Sequence, residues 1–409
     1  MIALLPGRAP SIQPLNAMQQ LLTKGQSWAR FVESRGGEGA FRPAVIDNIS
    51  RMLACGTDIL GYAKHECSNP DCPHTKVVPF SCNSRFCNTC GKKNTDQWIA
   101  QQNEVLPKGC DWQHITFTMP SELWEIIEHN RWLLKKLSKL AAGTLQDFAE
   151  QQGLIIGIFC ALHTFGRDLK FNTHVHVSVT CGGLNKHGKW KKLYYVKNVI
   201  MPKWRYAIIA LLRESLDDLT LPDHLRPLIS NYQDWNQWLN SHYQKPWIVH
   251  FAKIKKSHIR AVKYLGSYIK RPPISLSRLK HYDGTTVVFE YLDHKTKTKK
   301  WESCSTEEFL TRLIRHIPDK HFRLITYYGF LSNRLRGELL PTVYDELGEL
   351  PNTVEALYWH QMFKAAFGSD PMRCILCGSQ MSLVEIVPGL PRWKLYQNHW
   401  ALARLKPIH

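Results

Sequence analysis

No stretch of this chain is apolar for long enough to cross a bilayer. The longest apolar run, Leu154 to Leu162, falls far short of the roughly 20 residues a spanning helix needs. A secretory leader is not expected either, because Met1-Ile2-Ala3-Leu4-Leu5 meets Pro6-Gly7-Arg8 too early. Acidic residues are scarce: 34 Asp+Glu stand against 53 Lys+Arg, a formal charge of +19 with pI near 9.4. That deficit favours a polyanionic partner, nucleic acid before membrane surface. It is uneven, since between Phe251 and Leu340 there are 19 Lys+Arg against 8 Asp+Glu, or +11 of the +19. Trp301, Phe322, Tyr327 and Tyr328 interleave with this charge, a mixture that suits single-stranded nucleic acid. Without a secretory route, twelve cysteines point to thiolates and metal rather than disulfides. The cytoplasm is the expected compartment, with no membrane partner.

What is present is concentrated. From His65 to Cys90 the chain carries His65, Cys67, Cys72, His74, Cys82, Cys87 and Cys90, with Pro70, Pro73, Asn83 and Gly91 at turn positions. Paired cysteines a few residues apart supply the soft ligands of a tetrahedral zinc site. The set expected to hold zinc is Cys67, Cys72, Cys87 and Cys90, with Cys82 or His74 as the substitute. Adding Cys55 gives eight candidates, which leaves a two-zinc arrangement open. Far downstream, Cys374-Ile375-Leu376-Cys377-Gly378 is half a zinc knuckle. Two ligands cannot close such a site, so either other residues complete it or it binds nothing.

Thr173-His174-Val175-His176-Val177-Ser178-Val179 alternates with period two, the signature of a half-buried strand. His174 and His176 therefore share one face, as a pair of metal ligands must. Further on, Ser257 to Arg271 reads as a helix of about four turns, ended by Pro272-Pro273. At 100° per residue Ile259, Val262, Leu265 and Ile269 form an apolar stripe. Tyr264 and Tyr268 fall nearly opposite it, one turn apart, beside Arg260, Arg271 and Ser267. Core tyrosines would sit on the stripe; solvated surface tyrosines are the competing reading.

The coarse order of elements suggests an α+β chain. Asn16 to Glu33 and Arg42 to Leu53 read as helices around a Gly36-Gly37-Glu38-Gly39 loop. Asp111 to Met119 and the apolar run Leu154 to Phe165 read as strands, with a long helix, Glu122 to Gln151, between them. Further helices are expected near Lys203 to Leu216, Tyr232 to Tyr243 and Thr306 to His316. Strands are expected at Trp247 to Ile254 and His321 to Tyr328, with a hairpin over residues 285–303. Strands that return on one another with helices between give an antiparallel sheet. Four units follow: a helical region 1–62, a zinc-binding domain 63–108, an antiparallel α+β domain 109–330 and a C-terminal region 331–409 with the half knuckle.

In combination, these elements resemble the HUH endonucleases, with a histidine pair on a strand and a nucleophilic tyrosine on a later helix. The Tyr-x3-Tyr pair, the cysteine box and the upstream box His163-Thr164-Phe165-Gly166 narrow the likeness. It is to a two-tyrosine, rolling-circle insertion-sequence transposase of the IS91 type. The resemblance runs from about residue 40 to residue 380. It implies an antiparallel HUH sheet bearing the metal, a tyrosine helix packed over it, and a helical and zinc-binding N-terminal domain. It further implies that Tyr264 and Tyr268 form 5′-phosphotyrosine links to single-stranded DNA ends, leaving a free 3′-hydroxyl. One divalent ion, Mg or Mn, would be held by His174, His176 and a third ligand, for which His163 is preferred and Asp168 is the alternative. Arg260, Lys263, Lys270 and Arg271 would bind DNA near the tyrosines. Lys64, Lys76, Arg85, Lys92 and Lys93 would contact phosphates from the cysteine box. The family also implies use of the host replication machinery. A plasmid or phage replication initiator shares the chemistry, and a noncatalytic zinc-finger DNA-binding protein shares the charge and cysteines.

Overall fold

The structure is a computed structural model. It describes residues 15–84, 86–254, 262, 266, 272–293, 296–350, 358, 360–361, 363–364, 368 and 370–404. The N-terminal part begins with three helices, α1 (Ala17–Thr23), α2 (Ser27–Ser34) and α3 (Pro43–Leu53). Asn16 caps α1 reciprocally with Gln19, so two of its first amide donors are satisfied before the helix is a turn long. Gly25 and Gln26 take left-handed backbone angles and split the expected Asn16 to Glu33 helix in two. Strands β1 (Gly61–Cys67) and β2 (Thr75–Pro79) follow, then helix α4 (Asn88–Val105).

Next come β3 (Trp112–Phe117), α5 (Glu122–His129), α6 (Leu134–Glu150), β4 (Ile155–Phe165), β5 (Phe171–Leu184) and β6 (Trp190–Lys192). The long helix expected from Glu122 to Gln151 is thus two helices. They part at Asn130, whose buried side chain donates to the Thr220 carbonyl and accepts from the Thr220 amide, each within 2.9 Å. Helices α7 (Lys197–Glu214) and α8 (Tyr232–Ser241) precede β7 (Val249–Phe251), which is shorter than the strand expected there. A three-stranded sheet of β8 (Leu279–Tyr282), β9 (Thr286–Leu292) and β10 (Lys299–Ser305) contains the expected hairpin. The helix Thr306–Arg315, β11 (Ile325–Gly329), the helix Arg336–Leu347, β12 (Met381–Pro388) and the short helices Arg392–Gln397 and His399–Ala403 complete the described elements.

The chain is α+β with antiparallel sheets. The central sheet runs β11-β4-β5-β3-β7, with β6 paired to the far end of β5. Its two faces differ because the strands alternate. Val175, Val177 and Val179 point into a core with Ile115, Phe117, Ile158, Cys160 and Leu162, covered by α5, α6 and α7. The opposite face carries Trp112, Phe159 and Ala161, which pack with Trp98 of α4, Val262, Phe330 and Leu331. A third core joins distant segments: Trp28 and Ile46 meet Phe289, Phe309, Leu313, Leu395 and Leu402. A second three-stranded sheet, β12-β1-β2, pairs residues 381–388 with the strand that opens the cysteine box. Among the described residues no helix is long and apolar enough to cross a membrane.

Candidate functional site

Antiparallel pairing of β4 with β5 sets His163 directly opposite His174, and Ala161 opposite His176. Because His163 shares the parity of Phe159 and Ala161, all three histidines lie on the face that also packs against α4. Their ligand atoms lie within 4.8 Å of one another. The Nε2 atoms of His174 and His176 are 3.1 Å apart, the separation of two imidazole nitrogens sharing one cation at roughly 2.1 Å. His174 Nδ1–H donates to the Asn172 carbonyl at 2.9 Å, which leaves Nε2 as the lone-pair nitrogen of the neutral ring. Burial lowers the His174 pKa; burial and the neighbouring His163, His174 and His114 hold His176 well below the ordinary value. Both rings are therefore neutral near pH 7, the form that binds metal. The three histidines fit a divalent ion with coordination positions left open. Asp168 stands outside this group, in the β4–β5 turn, where it pairs with Lys170.

One further histidine was not singled out from the sequence. His114 on β3 stacks on His176 with ring centroids 5.3 Å apart, its Nε2 3.2 Å from His176 Nδ1. Thr116 Oγ1 approaches the same Nδ1 at 3.2 Å. The signal was the alternation of Trp112, His114 and Thr116 on one face, but only the pairing of β3 with β5 brings it to His176.

Tyr264, Tyr268, Arg260, Lys263, Lys270 and Arg271 lie outside the described residues. Val262 and Gly266 of the same segment are described, and both are helical and buried. Val262 joins the core on the histidine-bearing face, and a Cβ at Gly266 would overlap Ile99 of α4. Spaced four apart, they form one contact stripe on α4. Of the aromatic residues among the basic charge, Trp301 is 67% exposed. Phe322 is buried, and Tyr327 and Tyr328 pack against the two cores of the central sheet, so these three are not open stacking platforms.

The cysteines group differently from the set expected on spacing. Cys67, Cys72, Cys87 and Cys90 do not share a site. Cys87 and Cys90 join Cys55 and Cys82 in one cluster, whereas Cys67 and Cys72 join Cys374 and Cys377 in another. The reason is the β1–β2 hairpin. It carries Cys67 and Cys72 to its tip, away from the start of α4, while the chain after β2 returns Cys82 beneath the end of α3. In the first cluster Cys55–Cys90, Cys82–Cys90 and Cys87–Cys55 are each 3.6 Å apart at sulfur. A tetrahedral zinc site of four thiolates, with Zn–S of about 2.3 Å, has sulfur separations of about 3.8 Å. Backbone amides point at the sulfurs: Cys82 N–H at Cys55 Sγ and Ser84 N–H at Cys82 Sγ, both at 3.4 Å. The Cys82 thiol is pushed far up by Cys55 and Cys87, and Cys90 is pulled far down by Cys55 and Cys82. Four crowded thiols divide their charge in this way, and a dication stabilises all four as thiolates. Among the lysines expected on phosphates, Lys64 pairs with Glu66 at 2.8 Å and Lys92 with Asp96 at 2.7 Å, while Lys93 is exposed.

The comparisons agree with this anatomy. Residues 24–119 match the family model described as a transposase zinc-binding domain, and residues 157–338 match one described as a putative transposase. The chain is 42% identical over 408 residues to the transposase for insertion sequence element IS801 of Pseudomonas savastanoi pv. phaseolicola, covering 99% of this chain and 98% of the relative. It is 28% identical over 353 residues to the putative transposase y4qJ of Sinorhizobium fredii (strain NBRC 101917 / NGR234), covering 82% and 88% of the two chains. No solved structure matches the chain. Near-complete coverage by a relative of this similarity, with both family models in place, makes the chain a member of the IS91 family of insertion-sequence transposases.

Proposed function

We propose that this transposase nicks and rejoins single-stranded DNA by rolling-circle strand transfer in the cytoplasm, with Tyr264 and Tyr268 as nucleophiles. The observation that carries the reading is the three-histidine group on one face of an antiparallel sheet, His163 opposite His174. Burial of Val262 and Gly266 on that same face supports it, because they flank Tyr264 in sequence. A phosphodiester repels nucleophiles through its negative oxygens. A divalent ion, Mg or Mn, held by His163, His174 and His176 would offset that charge.

The tyrosine oxygen attacks phosphorus, the P–O3′ bond breaks, and the 3′ oxygen leaves with a proton. The protein keeps a 5′-phosphotyrosine, and the bond energy is conserved for rejoining without ATP. A free tyrosine has a pKa near 10, and Arg260, Lys263, Lys270 and Arg271 would favour the phenolate and hold the strand. Two tyrosines allow one to retain a cleaved end while the other attacks a second strand. On this reading the DNA partner is the single-stranded insertion-sequence end, and the host replication machinery completes the product.

The test is a denaturing gel of end-labelled single-stranded oligonucleotide with Mg or Mn. Wild type should form a covalent adduct, and the Tyr264→Phe/Tyr268→Phe double variant none. His176→Ala should lose cleavage while keeping most DNA affinity, since Lys and Arg contacts to phosphate dominate binding. An adduct formed by the double tyrosine variant, or full activity of His176→Ala in chelated buffer, defeats the assignment. Binding with no cleavage by wild type would favour a zinc-finger DNA-binding protein instead.

A further inference from the structure

The second cysteine cluster is assembled from two ends of the chain. Cys67 closes β1 and Cys72 lies in the hairpin turn, while Cys374 and Cys377 come 302 and 310 residues after their nearest partners. The sulfurs of Cys67 and Cys377 are 3.3 Å apart, those of Cys72 and Cys374 are 3.7 Å apart, and all four lie within 4.8 Å. Four thiols at about the 3.8 Å edge of a zinc tetrahedron are a donor set that zinc prefers over harder cations.

The surroundings are shaped for the same purpose. The Leu376 amide points at Cys374 Sγ from 3.4 Å, and Gly378 turns the chain at φ +75° directly after Cys377. The Gly378 amide donates to the Cys374 carbonyl and the Cys374 amide to the Ser379 carbonyl, closing the knuckle. The His74 ring nitrogen Nδ1 is 3.2 Å from Cys374 Sγ. Lys76 donates to the Pro371 carbonyl, and Ser68 donates to the Gln380 carbonyl from both amide and hydroxyl. Each half is thereby aligned on the other before any ligand is counted.

The sheet that the cluster closes buries Met381 and Val387 of β12 but few other apolar side chains. Leu383, Val384 and Ile386 of β12 are exposed, and among the described residues no member of β1, β2 or β12 belongs to a buried apolar cluster. A three-stranded sheet with an open apolar face is marginal in water, and small units of this kind are stabilised by a staple.

We propose that Cys67, Cys72, Cys374 and Cys377 form a second structural zinc site that clasps the C-terminal strand to the zinc-binding domain. The matched zinc-binding model ends at residue 119, so the site is completed by residues outside it. The half knuckle is completed across the fold, and the domain is finished only when the C-terminal segment has returned.

The test uses the full chain, purified with reductant and zinc. Elemental analysis should find one zinc fewer per chain in the Cys374→Ser/Cys377→Ser variant than in wild type. The Cys377→His variant should restore it, because histidine is also a zinc ligand. In wild type, exposed Cys377 should resist alkylation until a chelator is added, as read by mass spectrometry of its peptide. Equal zinc in wild type and the double serine variant would overturn the site. So would immediate alkylation of Cys377 in the zinc-loaded protein, or a Cys67–Cys377 disulfide in the reduced preparation. The alkylation arm keeps the test decisive if the double variant does not fold. None of these outcomes bears on the histidines, so the clasp and the nicking reading fail separately.

Discussion

The two cysteine clusters have the same donor set and opposite surroundings. Cys55, Cys82, Cys87 and Cys90 are all buried, in the core that contains Trp28, Ile46 and Phe309. Of the other four, Cys374 is buried, Cys67 and Cys72 are half-buried, and Cys377 is exposed. In the first cluster metal ligation and apolar burial support each other. In the second, apolar burial is confined to a few side chains such as Met381 and Val387, and ligation has to hold the strands. Chemically equal sites should therefore differ in what their loss does to the rest of the molecule.

The largest expected effect is at the inner cluster. Cys87→Ser should release zinc and leave polar groups in a packed core. Binding energy at such a site is folding energy, so the cost should be several kcal/mol, a large share of the roughly 5–15 kcal/mol a domain has. Thermal unfolding should lose the transition of the N-terminal core, whereas loss of Cys377 should loosen β12 and leave that transition in place. Equal losses from the two substitutions would remove the distinction.

A smaller effect concerns the way the C-terminal end reaches the inner core without metal. His399 is fully buried: its Nε2 accepts from Trp28 Nε1–H at 2.9 Å, and its Nδ1–H donates to Ser50 Oγ at 2.9 Å. The Ser50 hydroxyl in turn donates a hydrogen bond to the Ile46 carbonyl at 2.8 Å. Protonation of Nε2 would destroy the Trp28 bond, and burial holds the His399 pKa down to about 4. The unfolded chain, with histidine near 6.5, binds the proton first. Stability from this residue is therefore intact above pH 6.5 and is lost as pH falls toward 4, on the order of 3 kcal/mol in total. Urea unfolding of wild type and His399→Gln should show a difference that is constant from pH 8 to 7 and shrinks below 6.5. A difference independent of pH would show that folding leaves the His399 pKa unshifted. Asp47 anchors the same end through paired contacts of 2.5 Å to Arg392.

The smallest effect is the sharpest on the outer sheet. Leu383 is 53% exposed on β12, so Leu383→Thr should change stability by less than about 0.5 kcal/mol. A cost above about 2 kcal/mol in urea unfolding would mean that apolar burial does hold this sheet.

The histidine face was legible in the sequence because strand periodicity is local. Alternation in Thr173 to Val179 is enough to put His174 and His176 on one side and the valines on the other. The apolar run from Leu154 emerged as the central strand β4 for the same reason. Helix breaks were less visible, since the one at Asn130 depends on a buried contact with Thr220, 90 residues away. His114 was hidden for a related reason, as its approach to His176 needs the β3–β5 register.

Local sequence was enough to specify the chemistry: thiols at metal-binding spacing, a histidine pair on one strand face, and a basic excess centred on residues 251–340. Which thiols share an ion was decided only in three dimensions. Spacing ranks ligands by distance along the chain, and that favoured grouping Cys67 and Cys72 with Cys87 and Cys90. The β1–β2 hairpin separates those pairs, α3 brings Cys55 to the inner cluster, and the return of β12 to β1 brings Cys374 and Cys377 to the outer one. A metal selects atoms a few ångströms apart, and only the folded chain makes residues 302 positions distant into such neighbours.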